Sequence, residues 1–174
     1  MKEIEVKVLG INQSKVVEKL NSIGAKKTFD GLVFTEFFDF PDHRIKNAKD
    51  LLRLRKFGDS SYITYKKYVP NKNVKIRNEY EIEISDFSTA EAILKGIGCI
   101  AELSVKKQRI SYELDGVHFE LDKHLDEFDY IPWFLEIEAK DQKTISNCVS
   151  EFGFSKDQIK SWSFFEISEF YKKH

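Results

Sequence analysis

The stretch Glu3-Ile4-Glu5-Val6-Lys7-Val8-Leu9 begins with alternating charged and apolar residues. This period of two is typical of a β-strand, because successive side chains of a strand point to opposite faces. Similar alternation recurs in Glu81-Ile82-Glu83-Ile84 and in Glu136-Ile137-Glu138-Ala139. Each stretch precedes a predicted helix that ends at a glycine. The recurrence, with a unit of about 20 residues, indicates a common strand–helix organisation.

Eight predicted strands carry charge on one face and apolar side chains on the other. One interpretation is a solvated face with scattered surface ion pairs, each worth about 0–1 kcal/mol. The clean apolar faces and the available helices favour an α+β fold instead, an eight-stranded antiparallel closed β-barrel with helices outside and a charged interior. The charged residues on these faces are Glu3, Glu5, Lys7, Arg53, Arg55, Lys66, Arg77, Glu79, Glu81, Glu83, Lys107, Arg109, Glu120, Asp122, Glu136 and Glu138.

Helix signals follow several of the strands. Asp141 predicts the N-terminus of the third helix, and residues 161–171 predict a C-terminal helix. The second helix is predicted to begin at a capping box formed by Ser88 and Glu91. Its predicted apolar stripe consists of Ile93, Leu94 and Ile97.

Length and charge narrow the class of protein. The 174 residues predict a single domain over residues 1–174. A net charge of −1 gives no global field that would favour nucleic acid or an acidic membrane surface, so we expect neither partner. Two isolated cysteines, Cys99 and Cys148, lack metal-ligand spacing. Because no apolar run approaches the ~18 residues of a membrane span and no signal peptide is recognisable, we expect a cytoplasmic protein.

A charged interior requires compensation, because isolated charges are costly to enclose. Carboxylate oxygens are the ligands that hard divalent cations need, whereas Arg and Lys bind phosphate oxygens. A nucleotide or polyphosphate with a bound metal would satisfy both sets of side chains. The pattern therefore favours a metal-dependent triphosphate site.

The residues in this pattern also resemble a known family. Glu3-x-Glu5-x-Lys7 resembles the E-x-E-x-K signature of the CYTH superfamily, also called triphosphate tunnel metalloenzymes. The resemblance covers essentially the whole chain, because further motifs follow in the family's order. These are Leu52-Arg53-Leu54-Arg55, Thr64-Tyr65-Lys66, Arg77-x-Glu79-x-Glu81, Lys107-x-Arg109, Glu120-x-Asp122, Glu136-x-Glu138 and Ser163 with Glu166.

The resemblance implies an eight-stranded closed tunnel that binds a triphosphate together with Mg²⁺ or Mn²⁺. The compact size, Lys107-Gln108-Arg109 and Asp122-x-His124 look most like the small branch of class IV adenylyl cyclases. That branch converts ATP to cyclic AMP and pyrophosphate. Other members hydrolyse inorganic tripolyphosphate, thiamine triphosphate or nucleoside triphosphates. Dimers occur among the small members, so a homodimer is expected on this ground alone.

The resemblance also implies roles for individual residues. The predicted metal ligands are Glu3, Glu5, Glu120, Asp122, Glu136 and Glu138. The predicted triphosphate-binding residues are Lys7, Arg53, Arg55, Lys66, Arg77, Lys107 and Arg109. The predicted catalytic residues are Glu5, Lys66, Arg109, Asp122 and Glu136. For Arg77, Glu79, Glu81 and Glu83, substrate binding and charge balance are both open, and a structural role is favoured for Glu83. His118 and His124 are general-base candidates, but structural roles are favoured.

Three functions are compatible with these residues. In a cyclase the ribose 3′-hydroxyl attacks the α-phosphorus, whereas in a triphosphatase water attacks the terminal phosphorus. The two reactions differ in the register of the bound triphosphate, which the sequence does not specify. A non-catalytic polyphosphate- or nucleotide-binding module is the third, and the acidic set weighs against it, because anion binding alone needs no second cluster of carboxylates.

Overall fold

The computed structural model describes residues 4–70 and 76–173 of the chain. The strands are β1 (Ile4–Val8), β2 (Lys26–Asp39), β3 (Leu51–Phe57), β4 (Ser60–Val69), β5 (Ile76–Ile84), β6 (Ile100–Leu114), β7 (Val117–His124), β8 (Phe134–Ala139) and β9 (Ile159–Lys160). The α-helices are α1 (Gln13–Ser22), α2 (Arg44–Asn47), α3 (Phe87–Gly96), α4 (Gln142–Phe152) and α5 (Phe164–Lys172).

Among the described residues, the strands form one antiparallel sheet in the order β5-β4-β3-β2-β6-β7-β8-β1-β9. This finding confirms the α+β class and adds a two-residue ninth strand to the eight predicted ones. The hydrogen-bonded order ends at β5 on one side and at β9 on the other. The predicted closed barrel is therefore not shown by the strand pairing and stays a prediction.

The chain divides into two compact units, which we call the middle unit and the terminal unit. The middle unit comprises the described residues of Leu32–Lys106, and the terminal unit comprises those of Glu3–Gly31 and Lys107–His174. Each unit has its own apolar core and its own cluster of charged side chains. The prediction of a single domain stays untested.

In the middle unit, strand pairing separates polar from apolar side chains. Arg53 lies opposite Thr64, which in turn lies opposite Glu81 on β5. Because directly opposed residues of antiparallel strands share a face, these polar residues line the same side. The other side carries Leu54, which is buried and packs in one cluster with Leu94 of α3.

The terminal unit buries the apolar faces of its strands under two helices. Val16 and Leu20 of α1 pack in one cluster with Ile145 and Val149 of α4 and with buried residues of β1, β7 and β8. The C-terminal helix α5 contributes Ile167 to a second, smaller apolar cluster. Burial of these aliphatic side chains fixes the orientation of the strands, so their polar faces point away from the helices.

The predicted strand–helix–glycine repeat is present. The helices α1, α3 and α4 follow β1, β5 and β8, and each is followed by a glycine with a positive φ angle. These residues are Gly24, Gly98 and Gly153, with φ angles of 81°, 97° and 71°. A left-handed conformation ends a helix at little cost only when the residue has no Cβ, which explains the glycines.

The start of α3 differs from its prediction. The N-cap is Asp86, whose carboxylate accepts a hydrogen bond from the backbone N–H of Thr89 at 2.6 Å. The predicted capping box of Ser88 and Glu91 is wrong, because the helix begins two positions earlier. Asp86 lies two residues after the end of β5 at Ile84.

The apolar stripe predicted for α3 is also wrong in part. Leu94 is buried, but Ile93 and Ile97 are 59% and 62% exposed. Leu94 therefore packs in the apolar cluster of the middle unit together with the partly buried Phe87 and Ala90 of the same helix.

The bounds of other elements differ from their predictions. β2 begins at Lys26, whereas the Phe-rich pattern predicts a start at Leu32. The connection between β2 and β3 contains the short helix α2. The C-terminal helix begins at Phe164 behind a capping box of Ser163 and Glu166.

Both cysteines are free thiols, with Cys99 buried and Cys148 partly buried. Across residues 4–70 and 76–173, every helix is too short or too polar to cross a membrane.

Candidate functional site

Three strands of the terminal unit bring acidic residues together. β1 pairs with β8, so that Lys7 lies opposite Glu136 and Glu5 lies opposite Glu138. β7 pairs with β8 on the other side, where Glu120 lies opposite Glu136. Because directly opposed residues share a face, these side chains form one charged surface.

The carboxylates of this surface form two groups, each with oxygen atoms that lie within 4.8 Å of one another. The first carboxylate group consists of Glu5, Glu136 and Glu138, and the second consists of Glu120, Asp122 and Glu136. Glu136 belongs to both. Groups of carboxylate oxygens suit hard cations such as Mg²⁺ and Mn²⁺.

Lys7 lies inside the first carboxylate group. Its Nζ atom lies 2.8 Å from Glu5 Oε1 and 3.3 Å from Glu136 Oε2, and the residue is only 7% exposed. Burial alone would lower the pKa of Lys7, but the charges of Glu136 and Glu5 outweigh it and raise that pKa. The adjacent Glu136 carboxylate, followed by burial, raises the pKa of Glu5. Lys7 therefore supplies the charge that holds two repelling carboxylates together.

Asp122 is held by two bases from β6. Arg109 donates from Nε to Asp122 Oδ1 at 2.7 Å and from Nη2 to Oδ2 at 2.6 Å, and Lys107 Nζ donates to Oδ2 at 2.6 Å. Arg109 also forms an ion pair with Glu120. Burial would raise the pKa of the fully enclosed Asp122, but Arg109 and Lys107 outweigh it and lower that pKa.

Glu136 stays ionised for the same reason. Burial would raise its pKa, but the positive charges of Lys7, Arg109 and Lys107 lower it well below the usual value. The shared carboxylate of the two groups is therefore an anion at neutral pH. An anionic oxygen donor at this place is what a divalent cation requires.

The middle unit has a separate charged cluster. Arg55 Nη2 donates to Glu81 Oε2 at 2.9 Å, and Arg53 Nη2 lies 3.6 Å from Glu79 Oε1. Lys66 forms an ion pair with the same Glu79. Three of the four predicted phosphate-binding bases of this unit are thus paired with two of the acids whose role the sequence leaves open.

Two guanidinium groups of the middle unit retain hydrogen-bonding capacity. The buried Nε atoms of Arg55 and Arg77 have no hydrogen-bond partner among the described residues. Buried donors are normally satisfied, so such atoms indicate a missing acceptor. Phosphate oxygens are acceptors of the appropriate charge.

Thr64 is a residue of this cluster to which the sequence assigned no role. It is completely buried, and its hydroxyl donates to Glu81 Oε2 at 2.6 Å. Its position two residues before Lys66 places it on the same strand face, and that spacing could have identified it. Tyr62, two residues earlier, has its ring 5.9 Å from the Arg55 guanidinium carbon.

The two histidine candidates have different environments. His118 is exposed, whereas His124 is buried among Phe128, Phe134 and Phe164. Burial and the charge of Lys107 lower the pKa of His124 to about 3. His124 is therefore neutral at physiological pH, and its packing agrees with the structural role that the sequence favours.

The remaining predicted residues are less informative. Glu3 lies outside the described residues, so its role as a metal ligand stays a prediction. Glu83 accepts a hydrogen bond from the Ser60 hydroxyl at 2.7 Å. The structure therefore groups Glu5, Lys7, Lys107, Arg109, Glu120, Asp122, Glu136 and Glu138 in the terminal unit, and Arg53, Arg55, Lys66, Glu79 and Glu81 in the middle unit.

The middle unit also contains a group of Asp39, His43 and Glu102. The Asp39 carboxylate already accepts three backbone hydrogen bonds, from Phe40, Ile45 and Lys46. His43 Nδ1 lies 2.5 Å from Glu102 Oε1. The hydrogen bonds of Asp39 stabilise the first turn of α2, so a structural role explains this group of residues.

Comparison with known proteins identifies the family. The CYTH domain family matches residues 1–160, so the chain belongs to the CYTH domain family. A protein of Methanocaldococcus jannaschii named "putative adenylate cyclase" is 28% identical over 178 residues, covering 96% of this chain and 98% of the relative.

Solved structures show the same fold. A protein of Pyrococcus horikoshii OT3 has a TM-score of 0.78 and 28% identity, with 95% of this chain and 98% of the other covered. A protein from Hippeastrum, described as having a dominant triphosphatase activity, has a TM-score of 0.65 and 15% identity, with coverage of 97% and 94%. At 15% identity the similarity concerns the fold alone.

The CYTH family is metal-dependent and binds triphosphate substrates. The residues of the terminal unit fit such a metal, because both carboxylate groups offer only oxygen donors and share an ionised Glu136. Glu5, Glu136 and Glu138 are the better candidates to hold it, since both oxygens of Asp122 already accept hydrogen bonds from Arg109 or Lys107.

Proposed function

We propose that this protein is a divalent-metal-dependent enzyme that acts on a triphosphate, and that it converts ATP to cyclic AMP and pyrophosphate. The observation that carries the proposal is the placement of two carboxylate groups around Glu136, with Lys7, Lys107 and Arg109 bonded to them. A site for anions alone would not need two groups of carboxylates. The cyclase reaction is favoured by the similarity to the Methanocaldococcus jannaschii relative over nearly its whole length.

In this proposal the acids and bases of the terminal unit have separate tasks. Glu5, Glu136 and Glu138 hold Mg²⁺ or Mn²⁺, with Glu120 and Asp122 as further ligands. The metal, when bound, polarises phosphate oxygens and lowers the pKa of an attacking hydroxyl or water. Lys107 and Arg109 bind phosphate oxygens and stabilise the charge that develops on the leaving group.

The bases of the middle unit bind phosphate oxygens in the same proposal. The unsatisfied Nε atoms of Arg55 and Arg77 support this role, as does the pairing of Arg53 and Lys66 with acids that an added anion could replace. Arg supplies bidentate contacts to phosphate, whereas Lys supplies a movable point charge.

A triphosphatase is the second candidate. Charged side chains dominate both clusters, and phosphate charge is common to ATP, tripolyphosphate and thiamine triphosphate. Such clusters do not select attack by a ribose hydroxyl over attack by water. Only the reaction products distinguish the two activities.

The test is incubation with Mg²⁺ or Mn²⁺ and each of ATP, tripolyphosphate and thiamine triphosphate, followed by separation of cyclic AMP, pyrophosphate and orthophosphate. Cyclic AMP as the product supports the cyclase, and orthophosphate supports the triphosphatase. The Glu136→Gln variant, purified identically, controls for contaminating phosphatases. Absence of turnover on all three substrates, with metal-dependent binding retained, would exclude the enzyme and leave a binding module.

A further inference from the structure

Lys7 contacts two of the three carboxylates that are proposed to hold the metal. Its ammonium contacts one oxygen of Glu5 and one of Glu136, at 2.8 Å and 3.3 Å. Those two residues, together with Glu138, form the first carboxylate group. The ammonium and a divalent cation therefore compete for the same carboxylates.

The backbone explains why Lys7 is available for this contact. Lys7 lies directly opposite Glu136 in the β1–β8 pairing, and Glu5 lies two residues earlier on the same face of β1. The alternation of the strand thus places an internal cation within reach of both acids. Without a cation, the adjacent carboxylates of Glu5 and Glu136 would repel each other.

We propose that Lys7 is an exchangeable internal cation that holds Glu5 and Glu136 in place until a divalent metal displaces its ammonium, which then binds a phosphate oxygen of the substrate. This inference rests on the proposed function, since the metal and the triphosphate are those of the proposed reaction. A displaced ammonium in a buried position needs a new anionic partner. Metal and triphosphate should therefore bind cooperatively, with Lys7 as the group that links them.

Two neighbouring bases bind a carboxylate of the second group. Lys107 and Arg109 are bound to Asp122, which belongs to the second carboxylate group. Lys160 lies opposite Lys7 on β9, but its Nζ atom lies over the Trp162 ring, 5.2 Å from the centroid. Lys160 is thus a matched control, because it carries the same charge beside Lys7 and has a different contact.

The experiment measures the affinity for Mn²⁺ by calorimetry and by electron paramagnetic resonance, with and without tripolyphosphate. The proteins compared are the wild type, Lys7→Met and Lys160→Met. Lys7→Met should bind Mn²⁺ alone about 5-fold or more tightly than the wild type, in the usual range of coupling between sites. The gain in Mn²⁺ affinity that tripolyphosphate produces in the wild type should largely disappear in this variant.

Several outcomes would overturn the inference. Unchanged or weaker Mn²⁺ binding by Lys7→Met would show that the ammonium is no competitor. Absence of Mn²⁺ binding by both forms would also overturn the inference, because there would be no metal to displace the ammonium. An equal gain in Mn²⁺ affinity in Lys160→Met would show that the effect comes from the loss of a positive charge in general and not from the contacts of Lys7. Lys7→Gln, which keeps a hydrogen-bond donor, replaces Lys7→Met if circular dichroism shows that the latter does not fold. Failure of the proposed function would appear separately, as absence of product from the wild type.

Discussion

The two charged clusters of this protein contain similar residue types in different proportions. In the terminal unit, five carboxylates form two groups around Glu136, and the bases insert between them. In the middle unit, Arg53, Arg55 and Lys66 share two acids, and the Nε atom of Arg55 lacks a partner among the described residues. The first cluster has excess acid and suits a cation, whereas the second has excess base and suits an anion.

This difference separates two tasks that a metal-dependent triphosphate enzyme requires. Acid-rich clusters bind the metal, and base-rich clusters bind phosphate. Substitutions in the two units should therefore affect different constants, and this separation can be tested residue by residue.

The largest effect is expected for Glu136→Gln. The substitution removes the carboxylate that both groups share, and loss of metal stabilisation worth several kcal/mol should reduce turnover by about 100-fold or more. Steady-state rates at limiting Mg²⁺ or Mn²⁺ provide the measurement, with the exposed Glu113→Gln as a control that keeps wild-type rates. Wild-type turnover by Glu136→Gln would mean that this carboxylate holds no metal.

Asp122→Asn should affect stability most. Breaking a buried ion pair by removing one partner costs about 3 kcal/mol, and here Arg109 and Lys107 both lose their acceptor. The pKa of Asp122 is lower in the folded state than in the unfolded state. The carboxylate therefore stabilises the fold at pH values above its unfolded-state pKa, and this stabilisation is lost as the pH falls through its folded-state pKa. Urea unfolding at several pH values should show the loss at pH 7 and a smaller difference from the wild type near pH 3.

A constant difference from pH 7 to pH 3 would contradict the assigned ionisation of Asp122. Comparable unfolding of the wild type and Asp122→Asn at pH 7 would contradict the ion pair itself.

Lys66→Ala should raise the Michaelis constant for the triphosphate by about tenfold, the usual worth of a charge-assisted hydrogen bond. Its affinity for Mn²⁺ alone should stay within about twofold of the wild type, because Lys66 contacts no member of the two carboxylate groups among the described residues. Lys67→Ala is the control, since Lys67 is exposed and points to the opposite strand face. An unchanged Michaelis constant would place Lys66 outside the substrate site.

Thr64→Val should have the smallest effect. The change removes the hydroxyl that donates to Glu81 and costs about 1 kcal/mol of stability. Glu81 also accepts a hydrogen bond from Arg55, which still holds its carboxylate in place. The Michaelis constant for the triphosphate should therefore rise only a few-fold. Thermal unfolding measures the change in stability, and substrate titration measures the Michaelis constant. Thr64→Ser keeps the hydroxyl and should restore the wild-type values of both. If Thr64→Ser behaves like Thr64→Val, the hydroxyl does not orient Glu81.

The sequence predicted the strand faces well because alternation is a local property. Glu5 with Lys7, Lys107 with Arg109, and Glu120 with Asp122 lie on the predicted faces. What the sequence could not supply was the pairing between strands that are distant in the chain. Lys7 meets Glu136 only because β1 pairs with β8.

The errors also have physical causes. α3 begins directly after Asp86, because the Asp86 carboxylate caps the helix two positions ahead of the predicted cap, Ser88. Its exposed Ile93 and Ile97 show that helical periodicity does not reveal how much of a face is covered. The spacing from Lys66 places Thr64 on the polar face of β4, but the sequence does not show that its hydroxyl is buried against Glu81.

The measurement that tests the central claim most directly is Mn²⁺ titration without substrate, monitored by electron paramagnetic resonance, on three proteins. The separation of tasks predicts saturable binding to the wild type and to Lys66→Ala, and loss of that binding in Glu136→Gln. Wild-type Mn²⁺ affinity in Glu136→Gln, or its loss in Lys66→Ala, would contradict the assignment of the metal to the terminal unit.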